Sequence, residues 1–125
     1  MIEVHDIRIG NILSLIDEEE IDPSKVVSID EIGLVQLEST EYPENIENIV
    51  GVRIPSDFFA KKEKLLGQLR TLGFIISPFQ IGENRINFVG IEFKGTFIKA
   101  CFFIHELQNA MIDLIGIDPY ALPSI

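Results

Sequence analysis

Phe102-Phe103-Ile104-His105-Glu106-Leu107-Gln108-Asn109-Ala110-Met111-Ile112-Asp113-Leu114-Ile115-Gly116 joins a strand-like aromatic run to an amphipathic helix and closes it with glycine. At about 100° per residue, Ile104, Leu107, Met111, Leu114 and Ile115 share one arc, while Glu106, Asn109 and Asp113 fall on the opposite side. One side is predicted to be core and the other wet. Gly116 suits a left-handed C-terminal cap and Asp118-Pro119 blocks continuation, so the helix is predicted to end near Ile115. A helix of roughly a dozen residues is marginal alone in water. Burying five large apolar side chains, at roughly 1.5–3 kcal/mol each, would dock it, and that requires a sheet. Gln108 projects to the border of the stripe. A long amide there suits an unpaired strand backbone group, and its other use is to read a ligand.

The sheet is sought immediately upstream. Phe74-Ile75-Ile76-Ser77-Pro78-Phe79 reads as a strand whose proline demands an edge or an ending. After a Gly82-Glu83-Asn84 turn, Arg85 to Phe93 alternates on either side of Gly90. Lys94-Gly95-Thr96 then turns the chain into Phe97–Phe103, a hairpin contiguous with the helix. Farther back, Ser56 is a suitable N-cap after Pro55. Phe58, Leu65, Leu69 and Leu72 then share a helical face up to a stop at Gly73. Lys62 projects into that face and Gly67 sits mid-helix at a cost of ~1 kcal/mol, so the first turns are expected to overhang the core or the helix to break near Gly67.

The first 54 residues read as short strands. Val4 to Ile16 is a strand expected to break at Gly10-Asn11. Lys25–Ile29 and Leu34–Glu38 flank the turn Asp30-Glu31-Ile32-Gly33 as a hairpin, and Ile49–Ile54 is a last strand ended by Pro55. The fold class is therefore α+β: a small bent antiparallel sheet or SH3-like partial barrel, then helix, β-hairpin and C-terminal helix. At 125 residues one domain is expected, with a β-rich part over 1–54 and a helix–hairpin–helix part over 55–125.

Charge divides the chain at nearly the same place. Residues 1–50 hold thirteen acids and only Arg8 and Lys25 as bases, whereas residues 51–125 hold seven acids and eight bases. The acidic half repels nucleic acid and attracts a basic partner; its bland reading is a set of solvated loops. The single cysteine, Cys101, cannot form an internal disulfide, and Met1-Ile2-Glu3 does not open a basic, apolar signal segment, so a cytoplasmic protein is expected. No apolar run approaches the ~20 residues of a membrane helix.

Catalytic and metal motifs are missing from the sequence. His105-Glu106-Leu107-Gln108-Asn109 begins like the two-histidine zinc helix, but Asn109 stands where the second histidine belongs. Nothing in the sequence places His5, the other histidine, near His105. Cys101 lies in an apolar strand, as a buried structural thiol would. Neither dinucleotide glycines nor a phosphate loop occur, so no cofactor is expected. Lys61, Lys62, Lys64 and Arg70 form a small basic cluster interrupted by Glu63, which reads as a solvated helix face.

Ile104-His105-Glu106-Leu107-Gln108-Asn109 followed by Leu114-Ile115-Gly116 resembles the closing "V-H-Q-L-Q-N … L-T-G" of a family of small proteins encoded in Bacteroidetes-type gut bacterial genomes and their phages. Asp6-Ile7-Arg8-Ile9-Gly10-Asn11 is similar to its "D-L-R-I-G-N" opening, and Ile54-Pro55 with Leu72-Gly73-Phe74 to its "I-P-L-T … L-G-F" middle. Glu106 replaces Gln, Ser56 replaces Leu-Thr, and the middle helix is longer and more basic. The resemblance implies a phage or mobile-element setting and supplies no mechanism. It singles out Arg8, Gly10, Asn11, His105, Gln108 and Asn109 as motif residues without an assigned role.

Three functions follow as expectations. The first is a non-enzymatic interaction module that docks on a protein partner. The second is a nucleic-acid-associated accessory protein using Lys61, Lys62, Lys64 and Arg70, which the net charge of −10 disfavours. The third is an enzyme with a site near His105, whose mark would be a deep pocket lined by His105, Glu106 and another ionisable group; no such pocket is expected. A homodimer is expected as well, because nine phenylalanines exceed what a sheet and two helices readily cover; a monomer with a dense aromatic core is its rival.

Overall fold

In the first half, short apolar runs and turn-forming polar residues build a sheet. A computed structural model describes residues 4–16, 23–55, 57–81 and 86–120. Strands β1 (Ile12–Leu15), β2 (Ser24–Ile29), β3 (Val35–Leu37) and β4 (Ile49–Gly51) pair antiparallel in the order β3-β2-β1-β4. Leu13, Val26, Val35, Leu37 and Ile49 lie on one side and are buried with Ile7 as a first core. The predicted β2–β3 hairpin is present: Asp30 Oδ1 accepts the N–H groups of Ile32 and Leu34, which folds the turn between them. β3 and β4 are outer strands, so the sheet is open and no closed barrel forms among the described residues.

The opening run departs from expectation. Val4–Asp6 is a single 3-10 turn and regular pairing starts only at Ile12. The physical reason lies in Asn11, whose Oδ1 accepts the Arg8 N–H at 2.8 Å and holds a turn that competes with a strand ladder. Gly10, at φ 93°, supplies the left-handed step of that turn, so the predicted break is real and the strand before it is not.

The second half contains α1 (Phe58–Lys61), α2 (Glu63–Thr71), β5 (Phe74–Ile81), β6 (Ile86–Phe93), β7 (Thr96–Cys101) and α3 (Ile104–Ile115). The three strands form an antiparallel sheet in chain order, so β5 is an edge and tolerates Pro78, as predicted. The Gly82-Glu83-Asn84 turn lies outside the described residues. Phe58, Leu65, Leu66 and Leu69 meet Val89, Ile91 and Cys101 of the sheet and Leu107, Ala110 and Met111 of α3, so both long helices cover one sheet face. α3 ends at Ile115 with Gly116 at φ 80°, its N–H bonded to the carbonyls of Ile112 and Met111, as read from sequence.

Two helix expectations are corrected. The break in the middle helix falls at Lys62, not Gly67: Lys62 leaves helical geometry at φ −110°, ψ 23°, and its ammonium lies 5.7 Å from the Tyr120 ring centre. The first turn does not overhang, because Phe58 is buried with the Phe59 and Tyr120 rings at 5.3 and 5.9 Å. Leu72, expected in the core, is exposed because the helix stops one residue earlier, at Thr71. The proposed Ser56 cap lies outside the described residues, and Asp57 at the N-cap makes no capping bond.

The sheet face away from the helices carries aromatic rings. Phe79 stacks on its cross-strand partner Phe88 at 5.2 Å, meets Phe97 edge-on at 6.4 Å, and Phe88 meets Phe102 at 5.4 Å. A Cβ at Gly90 would come within 2.5 Å of the Phe79 ring, so these rings lie directly over bare backbone. Phe97, Phe79 and Ile75 remain exposed. No helix among the described residues is long and apolar enough to cross a membrane.

Candidate functional site

The predicted wet side of α3 is not wet along its length. Gln108, fully buried, accepts the Ile12 N–H through Oε1 at 2.9 Å and donates through Nε2 to the Gly10 carbonyl at 3.0 Å and to the Asp118 carboxylate at 3.1 and 3.2 Å. Asn11 Nδ2 donates to Asn109 Oδ1 at 2.8 Å, and Asn109 Nδ2 donates to the Asp6 carbonyl at 2.9 Å. Arg8 grips Asp113 with both guanidinium nitrogens at 2.7 and 2.8 Å, which raises its own pKa and lowers that of the Asp113 carboxyl. The helix thus turns its apolar side to the second core and bonds part of its polar side to residues 6–12, with the Arg8–Asp113 pair left exposed. Leu114, assigned to the apolar stripe, is 39 % exposed instead, because the buried arc centres on Leu107, Ala110 and Met111.

Arg8, Gly10 and Asn11 are thereby brought against Gln108 and Asn109, from opposite ends of the chain. The sixth motif residue, His105, stands beside this seam. Next to it, where β4 approaches the start of α3, a cleft of about 650 Å³ opens; its walls include His5, Glu47, Lys99, Phe103, His105 and Glu106. This corrects one expectation, since a pocket with ionisable walls does exist near His105, and it adds His5, on whose position the sequence was silent, to the same walls. Neither was visible in sequence because the cleft depends on a long-range junction. Arg53 bridges to Phe103, and Ile104 donates its N–H to the Val52 carbonyl at 2.8 Å.

Chemistry in the cleft is constrained by contacts its groups already make. Glu106 Oε1 accepts the N–H groups of Phe102 and Phe103, both at 3.0 Å, and so caps the start of α3. His105 is 4 % exposed, stacks on Phe103 with ring centres 5.9 Å apart, and has an Nδ1 that is sealed without a hydrogen-bond partner. The Arg53 guanidinium lies 5.5 Å from the Phe103 ring centre. At Gly51 a Cβ would meet the Phe103 ring at 2.8 Å and His105 at 3.0 Å, so only glycine lets β4 come this close.

Burial pushes the His105 pKa below its ordinary value near 6.5, with Lys99 acting in the same direction and Glu106 and Asp6 opposing. The unfolded chain therefore takes up a proton first, and stability is fully present above about pH 6.5 and lost as pH falls from there through the folded pKa. We expect the wild-type denaturant midpoint to fall between about pH 7.5 and 5.5, and His105→Phe to flatten that dependence. Parallel curves for the two proteins would contradict this.

Elsewhere, Cys101 is fully buried and burial pushes its thiol up to about 12, which leaves it inert as a nucleophile at neutral pH. The basic cluster is partly spent: Lys61 pairs with Asp57 at 3.0 Å and Lys62 covers Tyr120. Among the described residues no group of three or more His, Cys, Asp or Glu is arranged to hold a metal ion. Compared with protein-family models, curated proteins and solved structures, the chain matches none.

Proposed function

We propose that this chain is a non-enzymatic interaction module that docks, through its acidic half, on a basic protein partner. What carries the reading is the lack of compensating cations there. Glu31, Glu38 and Glu41 are exposed around the four-stranded sheet, and of its two bases Arg8 is already held by Asp113. An unneutralised field of one sign steers and orients a partner of the opposite sign. The resemblance of its opening and closing motifs supports a phage or mobile-element setting, and a chain with one unpaired thiol suits the cytoplasm. The test is capture of partners by the immobilised protein at low and high salt. Partners should be basic and should be released as salt rises, because screening acts on exposed charges; capture unchanged at high salt would sink the electrostatic reading.

The aromatic sheet face supports a second contact, with another copy of the chain. Mutual repulsion of the two acidic halves would steer the copies to meet through the half that carries the exposed Phe79 and Phe97 rings. Light scattering over a range of concentrations should show a dimer that Phe97→Glu dissociates. A mass fixed near 14.1 kDa at every concentration would refute it. The enzyme reading gains one observation, the cleft beside His105, but Glu106 is committed to capping and no described residue hydrogen-bonds the imidazole. The nucleic-acid reading is left with Lys64 and Arg70 as the cations of its cluster that no contact among the described residues engages.

A further inference from the structure

The cleft beside His105 has the build of a ligand site independent of the docking surface. Its volume of about 650 Å³ falls within the usual span for small-molecule sites, roughly 300–1,000 Å³. Ile49, Val50 and Phe103 give it apolar walls. Most of its charges already have partners: Arg8 and Asp113 each other, Asp6 the His5 ring at 3.4 Å, and Glu106 two backbone N–H groups. Among the described residues, the side chains of Lys99 and Glu47 form no ion pair or hydrogen bond, so one ammonium and one carboxylate remain, from different elements of the fold.

His105 adds a directional group. A sealed N–H without a partner costs more than a sealed lone pair, so the proton belongs on Nε2 and the ring offers an N–H donor. Nδ1 is sealed from the cleft, so of the two ring nitrogens of this cleft-lining residue Nε2 is the one left for a polar ligand group. An acceptor carrying negative charge would satisfy both this donor and Lys99, whereas Glu47 favours a cation.

We propose that the cleft binds a small zwitterion with an apolar body, of the size of an aromatic amino acid to a dipeptide, its carboxylate taken by Lys99 and His105 and its ammonium by Glu47. Isothermal titration calorimetry on the full chain tests this with L-phenylalanine and L-phenylalanyl-L-phenylalanine, each compared with its C-terminal amide and its N-acetyl derivative. At least one zwitterion should bind saturably, and both of its singly charged derivatives should bind roughly fivefold more weakly, the scale of one exposed charge pair. Lys99→Ala should abolish the penalty for amidation and Glu47→Gln the penalty for acetylation; both side chains are exposed, so circular dichroism should show unchanged folds. Absence of saturable binding by either zwitterion overturns the proposal, as does a singly charged derivative that binds as well as its parent. Neither result bears on salt-dependent capture of a protein partner.

Discussion

Leu107→Ala is expected to lower the unfolding free energy by about 2–5 kcal/mol, the range for removing a fully buried leucine from a core. Leu107 has no exposed surface and is packed in the cluster that joins α2, β6, β7 and α3, where Leu65, Ile91 and Met111 are equally inaccessible or nearly so. Truncation there loses apolar transfer energy and leaves a cavity among close-packed neighbours that relax only in part. Leu114 is the control. It has the same chemistry and belongs to the same predicted stripe, yet it is 39 % exposed, so Leu114→Ala should cost less than about 1 kcal/mol. Denaturant midpoints measure both. Equal losses would mean that the helix is rotated from the orientation described.

That contrast shows where the sequence is a sufficient guide. The limits of α3, the β2–β3 and β6–β7 hairpins and the edge position of Pro78 depend on neighbours a few residues away, and capping glycine, turn residues and alternation report them directly. The helix break falls at Lys62, whose ammonium lies over Tyr120, far along the chain; of the two local irregularities, Lys62 in the apolar face and Gly67, the break was expected at the wrong one. Polar residues on α3 posed the same difficulty at one position. Periodicity assigns Asn109 to solvent because it cannot distinguish water from the backbone of a distant turn, whereas Asp113 is exposed as assigned and holds the Arg8 guanidinium there. The cleft was hidden for a related reason: His5 and His105 come together only through the meeting of residues 5–8, β4 and α3. Of the six residues that the resemblance singled out, Arg8, Gly10, Asn11, Gln108 and Asn109 lie together at one seam.

The second large effect is expected at that seam. Gln108→Ala removes the acceptor for the Ile12 N–H and the donor for the Gly10 carbonyl, and it leaves the Asp118 carboxylate without its amide. A buried polar group left without its hydrogen bond costs about 1–3 kcal/mol, so a loss of about 2–6 kcal/mol is expected from the two backbone groups. Alanine, however, vacates space in which water can bond the orphaned groups. Gln108→Leu fills that space with carbon and should therefore be worse than Gln108→Ala, the reverse of the order expected at a purely apolar core position. Gln108→Glu separates the two halves of the amide: it keeps an acceptor for Ile12, loses the donor to Gly10 and sets a second carboxylate beside Asp118. Its deficit should shrink as pH falls and one of the two carboxyl groups takes a proton, which the wild type has no reason to show at this position. Because the two apolar cores meet here through polar contacts, hydrogen exchange of β2 and β6 amides gives the most direct readout. In the wild type both strands should open with similar free energies, and in Gln108→Leu the smaller first core, around Leu13 and Val26, should open at the lower one. Leucine and alanine variants as stable as the wild type would show that the amide is not what holds α3 to the Gly10 turn.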